Sequence, residues 1–118
     1  MKYTIEGLYQ QVMLDLGLDC TDAVILRYII DFYCSKKMTK VFNEGKEYFW
    51  LSYKSVLKEL PALGIKTKDA VSRRMKKYVK CGLMEHYTKR EDGTYYCFRF
   101  TDKYDNLIYK EDDKNIKL

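Results

Sequence analysis

The spacing of apolar residues predicts two helices in the first third of the chain. In segment 4–16 the apolar positions follow one another in steps of three and one, as on one face of an α-helix, and Gly17 suits the helix end. The next segment, 22–35, is apolar on most of its faces. Asp19 or Thr21 can cap it, and we expect it to be the central, buried helix.

Two short strands and a short helix are predicted in the middle of the chain. Segment 38–51 changes to a β pattern, with Asn43-Glu44-Gly45 as the turn between its halves. Ser52 is placed to cap a helix over 53–60, and Pro61 then interrupts the helical pattern.

The next part of the chain predicts a longer helix followed by a β-hairpin. Thr67 can cap a helix that runs to about Lys80. Residues 83–89 and 94–100 alternate as strands do, and Asp92-Gly93 is a hairpin turn signal. The helix has a core face at helical spacing, formed by Val71, Met75, Tyr78 and Val79.

Together these elements predict an α+β fold. A short helix, a turn, a longer helix and a hairpin follow one another in a winged helix-turn-helix, where the hairpin is the wing. We therefore predict a mostly helical domain over residues 1–109, with a β-hairpin wing, a second short hairpin and a last turn at 104–108. Residues 110–118 are polar and are expected to form a C-terminal tail.

Charge is concentrated in one part of this predicted domain. The whole chain carries a formal net charge of +5. Residues 66–90 alone hold nine Lys or Arg and two acidic residues, a net charge of +7, so the rest of the chain is slightly acidic. This basic block covers the predicted longer helix, and a polyanion such as DNA is the partner that it suits. The alternative is an ordinary solvated helix face.

The longer helix carries most of the residues that we predict to bind double-stranded DNA. A helix in the major groove needs an apolar face on its own domain and polar or basic residues on its exposed face. Arg73 is the best candidate for a bidentate contact with guanine. The wing turn adds cations that could reach phosphates, although it could equally be an ordinary solvated turn. The predicted DNA-binding residues are Thr67, Lys68, Ser72, Arg73, Lys76, Lys77, Lys80, Lys89 and Arg90.

The sequence gives no signal for catalysis, a metal or a cofactor, and we do not expect an enzyme. His86, the only histidine, stands beside Glu85 without a nucleophile or a phosphate-binding loop. The four cysteines lack metal-ligand spacing, so we expect buried free thiols. No apolar run is long enough to span a membrane and the N-terminus lacks a signal-peptide core, so a cytoplasmic location is predicted.

Three further interpretations concern partners other than duplex DNA. The twelve Tyr, five Phe and one Trp could form a surface for another protein. Segments 4–16 and 104–108 could form a homodimer, unless they pack on their own core. Aromatic residues of the second hairpin, Tyr95 and Tyr96 among them, could stack unpaired bases, with Arg99 beside them.

The order of these segments resembles a known family. The segments that carry the resemblance are, in order, GLDCTDAVILRYIIDFY, FWLSYKSVLKELPAL and KTKDAVSRRMKKYVKCGLMEHY, followed by a wing. With them the chain resembles the N-terminal winged-helix domain of phage and plasmid replication initiators (replisome organisers) of Gram-positive bacteria. The resemblance covers about residues 15–107. It implies a role in replication initiation or its control, with Ser72, Arg73 and Lys76 facing DNA and replication proteins as partners.

The chain departs from the family in its length. Its motifs also do not distinguish a role in replication from one in transcription. Initiators usually carry a second domain, whereas this chain ends at Leu118, so it is expected to be part of a longer protein or a stand-alone DNA-binding protein. The motifs are shared with many winged-helix transcription regulators, and a transcriptional role is the alternative.

Overall fold

A computed structural model of the protein describes residues 1–110, so most of the predicted tail lies outside the described residues. The described part has an α+β architecture, as predicted, with five α-helices and two small antiparallel sheets. A 3-10 turn, Pro61–Leu63, joins the third and fourth helices. The elements in chain order are β1 (Thr4–Ile5), β2 (Leu8–Tyr9), α1 (Gln10–Leu16), α2 (Cys20–Cys34), β3 (Lys40–Asn43), β4 (Lys46–Trp50), α3 (Tyr53–Glu59), α4 (Lys68–Lys80), β5 (Met84–Lys89), β6 (Tyr95–Phe100) and α5 (Lys103–Leu107).

The predicted helix over 4–16 is wrong in its first half. Helix α1 begins only at Gln10, and the residues before it form a small hairpin in which Ile5 pairs with Leu8. Glu6 and Gly7 both have positive φ, at 52° and 71°, as the two central residues of a type I′ hairpin turn do. A two-residue turn also separates apolar partners by three positions, which is the spacing of neighbours on a helix face.

Helix α2 is the central buried helix that the sequence predicts. Its N-cap is Asp19, whose side chain accepts a hydrogen bond from the Asp22 amide while the Asp22 side chain accepts one from the Asp19 amide. This capping box satisfies two amide groups at the helix start. The helix fills the core with Ala23, Ile25, Leu26, Ile29 and Ile30.

The two predicted hairpins form one antiparallel sheet in the order β3-β4-β6-β5. Strand β4 joins them by pairing with β6, so that Phe49 lies opposite Phe98 and Trp50 opposite Cys97. The sheet has two faces. We call the face that packs on the helices the near face; it includes Phe49, Met84, Phe98 and Phe100. We call the other the far face; it includes Tyr48, Trp50, Tyr87, Tyr95 and Cys97.

The last described helix belongs to the core of the single chain. Leu107 is fully buried, and Ile108 forms an antiparallel bridge with Leu8. The segment 104–108 therefore packs on the core of its own chain, which is the alternative to a role in a homodimer. On α1, by contrast, Leu14 remains 59% exposed.

The expectation of buried thiols holds for only part of the cysteines. All four are free, but Cys20 and Cys34 stand at the two ends of α2 and are exposed. Cys97 is fully buried on the far face, where it lies opposite Trp50 on one side and Tyr87 on the other. A separate finding concerns length: among residues 1–110, no helix is both long enough and apolar enough to cross a membrane.

Candidate nucleic-acid interface

Helix α4 is held on the domain by one apolar face. The Thr67 hydroxyl caps its start by accepting a hydrogen bond from the Ala70 amide at 3.1 Å. Val71, Met75 and Tyr78 are fully buried, as the helical spacing predicts. Because α4 is anchored in this way, its opposite side is directed to solvent.

Four cations lie on or beside that solvent side, and we call this set the basic face: Lys68, Arg73, Lys76 and Lys80. Arg73 is 3.2 Å from Asp69, but these side chains are 73% and 81% exposed, so the pair contributes little and can open easily. In the part of the chain that the structure describes, the three lysines of the basic face form no ion pair. Their charge is therefore available to an external anion.

Lys77, which the sequence places in the DNA-binding set, lies on a different side of α4. Its ammonium donates a hydrogen bond to the Asp22 carboxylate at 2.6 Å. Asp22 is fully buried, and it also accepts hydrogen bonds from Arg74 at 3.1 Å and from the Tyr78 hydroxyl at 2.7 Å. We call these four residues the Asp22 cluster. It fixes α4 against the first turn of α2, so Lys77 serves the fold.

The contacts of the Asp22 cluster determine the protonation states of Tyr78 and Asp19. Burial and the negative charge of Asp22 raise the pKa of Tyr78, so its hydroxyl stays protonated and can donate. At Asp19, burial acts to raise the pKa, but hydrogen bonds from the Asp22 amide and the Arg74 guanidinium lower it to about 2. Asp19 is therefore ionised at neutral pH and helps to neutralise Arg74, which lies 2.9 Å away.

The depressed pKa of Asp19 predicts an acid-dependent stability. Folding lowers this pKa, so the stabilisation is complete above its ordinary value, 3.8, and is lost as the pH falls through about 2. We expect Asp19→Asn, which keeps an N-cap side chain, to be less stable than the wild type at neutral pH. The gap in unfolding free energy should close between pH 3.8 and 2, as measured by urea denaturation across pH. A gap of equal size at both ends of that range would contradict this role of the carboxylate.

A groove separates α4 from the second hairpin, and we call it the α4–hairpin groove. Met75, Val79 and Phe98 form its apolar floor, and its volume is about 230 Å³. Its walls and rim are formed by Tyr53, Ser72, Lys76, Lys80, His86 and Tyr96. Two members of the basic face, Lys76 and Lys80, thus also border the groove.

Two stacked aromatic rings are part of the lining of this groove. Tyr53 and Tyr96 stack with their ring centres 5.2 Å apart and their planes at 7°. Burial raises the pKa of Tyr53 to about 12, against the effect of a hydrogen bond with Ser72. Burial and the charge of Lys76 lower the pKa of His86, so this imidazole is neutral at neutral pH. Glu85, the residue before His86, lies on the far face, because neighbouring residues on a strand point to opposite faces. There it forms ion pairs with Lys46 and Arg99.

The two predicted wing cations are divided between surfaces. Lys89 belongs to the far face, where it lies in a crevice with Trp50 and Tyr95. Arg90 is exposed at the hairpin tip. Of the nine predicted residues, the structure brings together Lys68, Ser72, Arg73, Lys76 and Lys80 along α4; Thr67 caps that helix, and Lys77, Lys89 and Arg90 lie apart.

The predicted DNA-binding set does not include Tyr53, His86 or Tyr96, which line the groove. The sequence pointed to Tyr96 only through the aromatic residues of the second hairpin that could stack unpaired bases. Tyr53 begins α3, and the other two come from neighbouring strands of the second hairpin. The alternation of β6 predicted that Tyr96 shares a face with Phe98, but which face meets α4 depends on tertiary packing.

Comparison of the chain with protein-family models, with curated proteins and with solved structures found no match. Within residues 1–110 there is also no cluster of three or more His, Cys, Asp or Glu side chains that could hold a metal ion.

Proposed function

We propose that this protein is a winged helix-turn-helix protein that binds double-stranded DNA through α4. The observation that carries the proposal is the division of cations on that helix. Arg74 and Lys77, on the side toward α2, are neutralised by Asp19 and Asp22. The basic face keeps its charge open to solvent, which is the arrangement that a phosphate backbone attracts.

The shape of the region supports the same proposal. Helices α3 and α4 are joined by a short 3-10 turn, and the β5–β6 hairpin follows directly, as in a helix-turn-helix with a wing. Helix α4 has 13 residues, and the diameter of an α-helix with its side chains, about 10–12 Å, suits the major groove, which is about 12 Å wide. In this arrangement Arg73 contacts base edges, Lys68, Lys76 and Lys80 contact phosphates, and Arg90 reaches the backbone from the wing tip.

The biological process is proposed from the resemblance to replication initiators. We propose that DNA binding serves replication initiation or its control in a phage, plasmid or other mobile element, in the cytoplasm and together with replication proteins. A transcriptional role uses the same interface, since both depend on reading a duplex site.

Titration of a labelled duplex at several salt concentrations tests DNA binding. With about four to six phosphate contacts, the logarithm of affinity should fall against the logarithm of salt concentration with a slope of about −4 to −5. Failure to bind any duplex at low salt would overturn the proposal.

Arg73→Ala is expected to relax base preference, because a bidentate contact with guanine discriminates between bases. The expected cost on the preferred site is about 1–3 kcal/mol, with a smaller cost on unrelated duplexes. Arg73→Lys keeps the charge but loses the planar fork, so it should keep general affinity and lose preference. Affinities for a selected site and for a scrambled duplex measure the difference. An equal loss on both duplexes would reassign Arg73 to a phosphate.

A second candidate function is protein contact through the N-terminal region. Met1, Tyr3 and Leu14 are exposed apolar residues at 81%, 58% and 59%, and Tyr3 and Met1 border a shallow crevice beside α1. Light scattering separates the candidates, since this one requires a stable dimer or heteromer and predicts little affinity for DNA.

A further inference from the structure

We propose that the α4–hairpin groove binds one unpaired nucleotide of a DNA strand whose duplex part lies on the basic face. This inference deepens the proposed function and rests on it. It implies that the protein binds duplex DNA with a frayed or single-stranded end more tightly than it binds an uninterrupted duplex.

The size and lining of the groove select a single ring system. Its volume of about 230 Å³ is below the ~300–1,000 Å³ of pockets that enclose drug-sized ligands. The floor of Met75, Val79 and Phe98 is apolar, while Ser72 and His86 add polar atoms at the side. A flat, largely apolar ring with polar edges, such as a nucleobase, fits this combination.

The aromatic pair offers a surface for stacking. Tyr96 is 42% exposed although its ring already stacks on Tyr53, so the pair forms a fixed platform at the mouth of the groove. Every base has a π-face, and stacking on such a ring requires no particular sequence. A base inside a duplex cannot reach this platform, because its faces are covered by its neighbours. The platform therefore selects an unpaired base.

The charge around the groove selects an anion attached to that ring. Lys76 and Lys80 stand on its rim, and none of the described residues that line the groove is acidic. A nucleotide supplies both parts, with the base over the apolar floor and the phosphate at the lysines. A neutral apolar ligand would leave these cations unused, and a cationic ligand would be repelled.

The same two lysines explain why the nucleotide comes from DNA. Lys76 and Lys80 belong to both the basic face and the groove rim, so a strand that leaves the duplex at α4 passes directly over the groove. The adjoining phosphates hold the unpaired base close to the platform, which raises its effective concentration over that of a free nucleotide.

The test compares a blunt duplex with the same duplex that carries one unpaired 2-aminopurine nucleotide at its end. We expect the second to bind about tenfold more tightly, with quenched 2-aminopurine fluorescence, since one stacked base contributes an effect of this order. Tyr96→Ala should bring its affinity to that of the blunt duplex and restore the fluorescence. Tyr96→Phe keeps the ring and should keep both effects. Phe42→Ala, which removes a 70% exposed ring from the other hairpin, should change neither.

The outcomes separate this inference from the function on which it rests. Tight binding of the blunt duplex without preference for the unpaired nucleotide would overturn the groove assignment and leave the proposed function standing. Titration with free dAMP provides a second arm. If dAMP bound in a Tyr96-dependent way and the unpaired end gave no preference, the bound nucleotide would not belong to a DNA strand. The groove would then be assigned to a free nucleotide. Loss of all DNA binding would overturn both proposals.

Discussion

Replacement of Asp22 by alanine is expected to lower the free energy of unfolding by about 3 kcal/mol. The buried carboxylate accepts hydrogen bonds from Arg74, Lys77 and Tyr78. Its removal leaves a buried hydroxyl without an acceptor and Lys77 without a counter-charge, while Arg74 keeps only its pair with Asp19. The two cations keep partial contact with water, which places the cost near the lower end for a broken buried pair. Urea denaturation at neutral pH measures the change.

A matched control for Asp22 lies on the same helix. Asp31 pairs with Arg27 at 2.6 Å, but the Asp31 side chain is 65% exposed. Asp31→Ala should therefore cost less than about 1 kcal/mol. Similar costs for the two replacements would show that the Asp22 cluster does not anchor α4.

The double variant Lys76→Glu/Lys80→Glu is expected to weaken duplex binding by at least about 100-fold at low salt, because two phosphate contacts become repulsive. The salt slope should become shallower by about two, one for each lost contact. Both side chains are exposed and unpaired within the described chain, so folding should be nearly unaffected. Thermal unfolding of the variant checks that point.

The control for this variant makes the same change of charge elsewhere. Lys36 and Lys37 are exposed in the loop after α2, at the opposite end of that helix from the Asp22 cluster. Lys36→Glu/Lys37→Glu gives the same net charge but leaves the basic face intact. It should weaken binding only slightly. Equal effects of the two double variants would mean that overall charge, and no particular surface, attracts DNA.

Local sequence signals predicted much of the fold. Ser52 and Thr67 cap α3 and α4 as expected, since an N-cap side chain acts on amides only two or three residues away. The two hairpins also follow from local turn chemistry at Glu44-Gly45 and Asp92-Gly93, where the chain takes positive φ. The helix predicted over 4–16 is wrong in its first half because Ile5 and Leu8 have a spacing that a helix face and a tight hairpin share.

The candidate site was predictable only in part, because its remaining members depend on tertiary contacts. The helical period placed Arg73 and Lys76 on the exposed side of α4, where both lie. It also left Lys77 as one more surface cation, because the position of Asp22 relative to α4 is set by the packing of two helices 55 residues apart in sequence. The α4–hairpin groove likewise needs the near face of the sheet to meet α4, which no single segment specifies.

Amide chemical shifts of the isotope-labelled protein, followed during titration with a duplex, test most directly whether α4 is the DNA interface. We expect the largest shifts on the solvent side of α4, at Lys68, Arg73, Lys76 and Lys80, with smaller shifts at the hairpin tip near Arg90. Amides at the end of α2 and around Phe42 should change little. If the largest shifts fell on the far face of the sheet, or around Leu14 on α1, and the α4 amides did not change, α4 would not be the DNA interface.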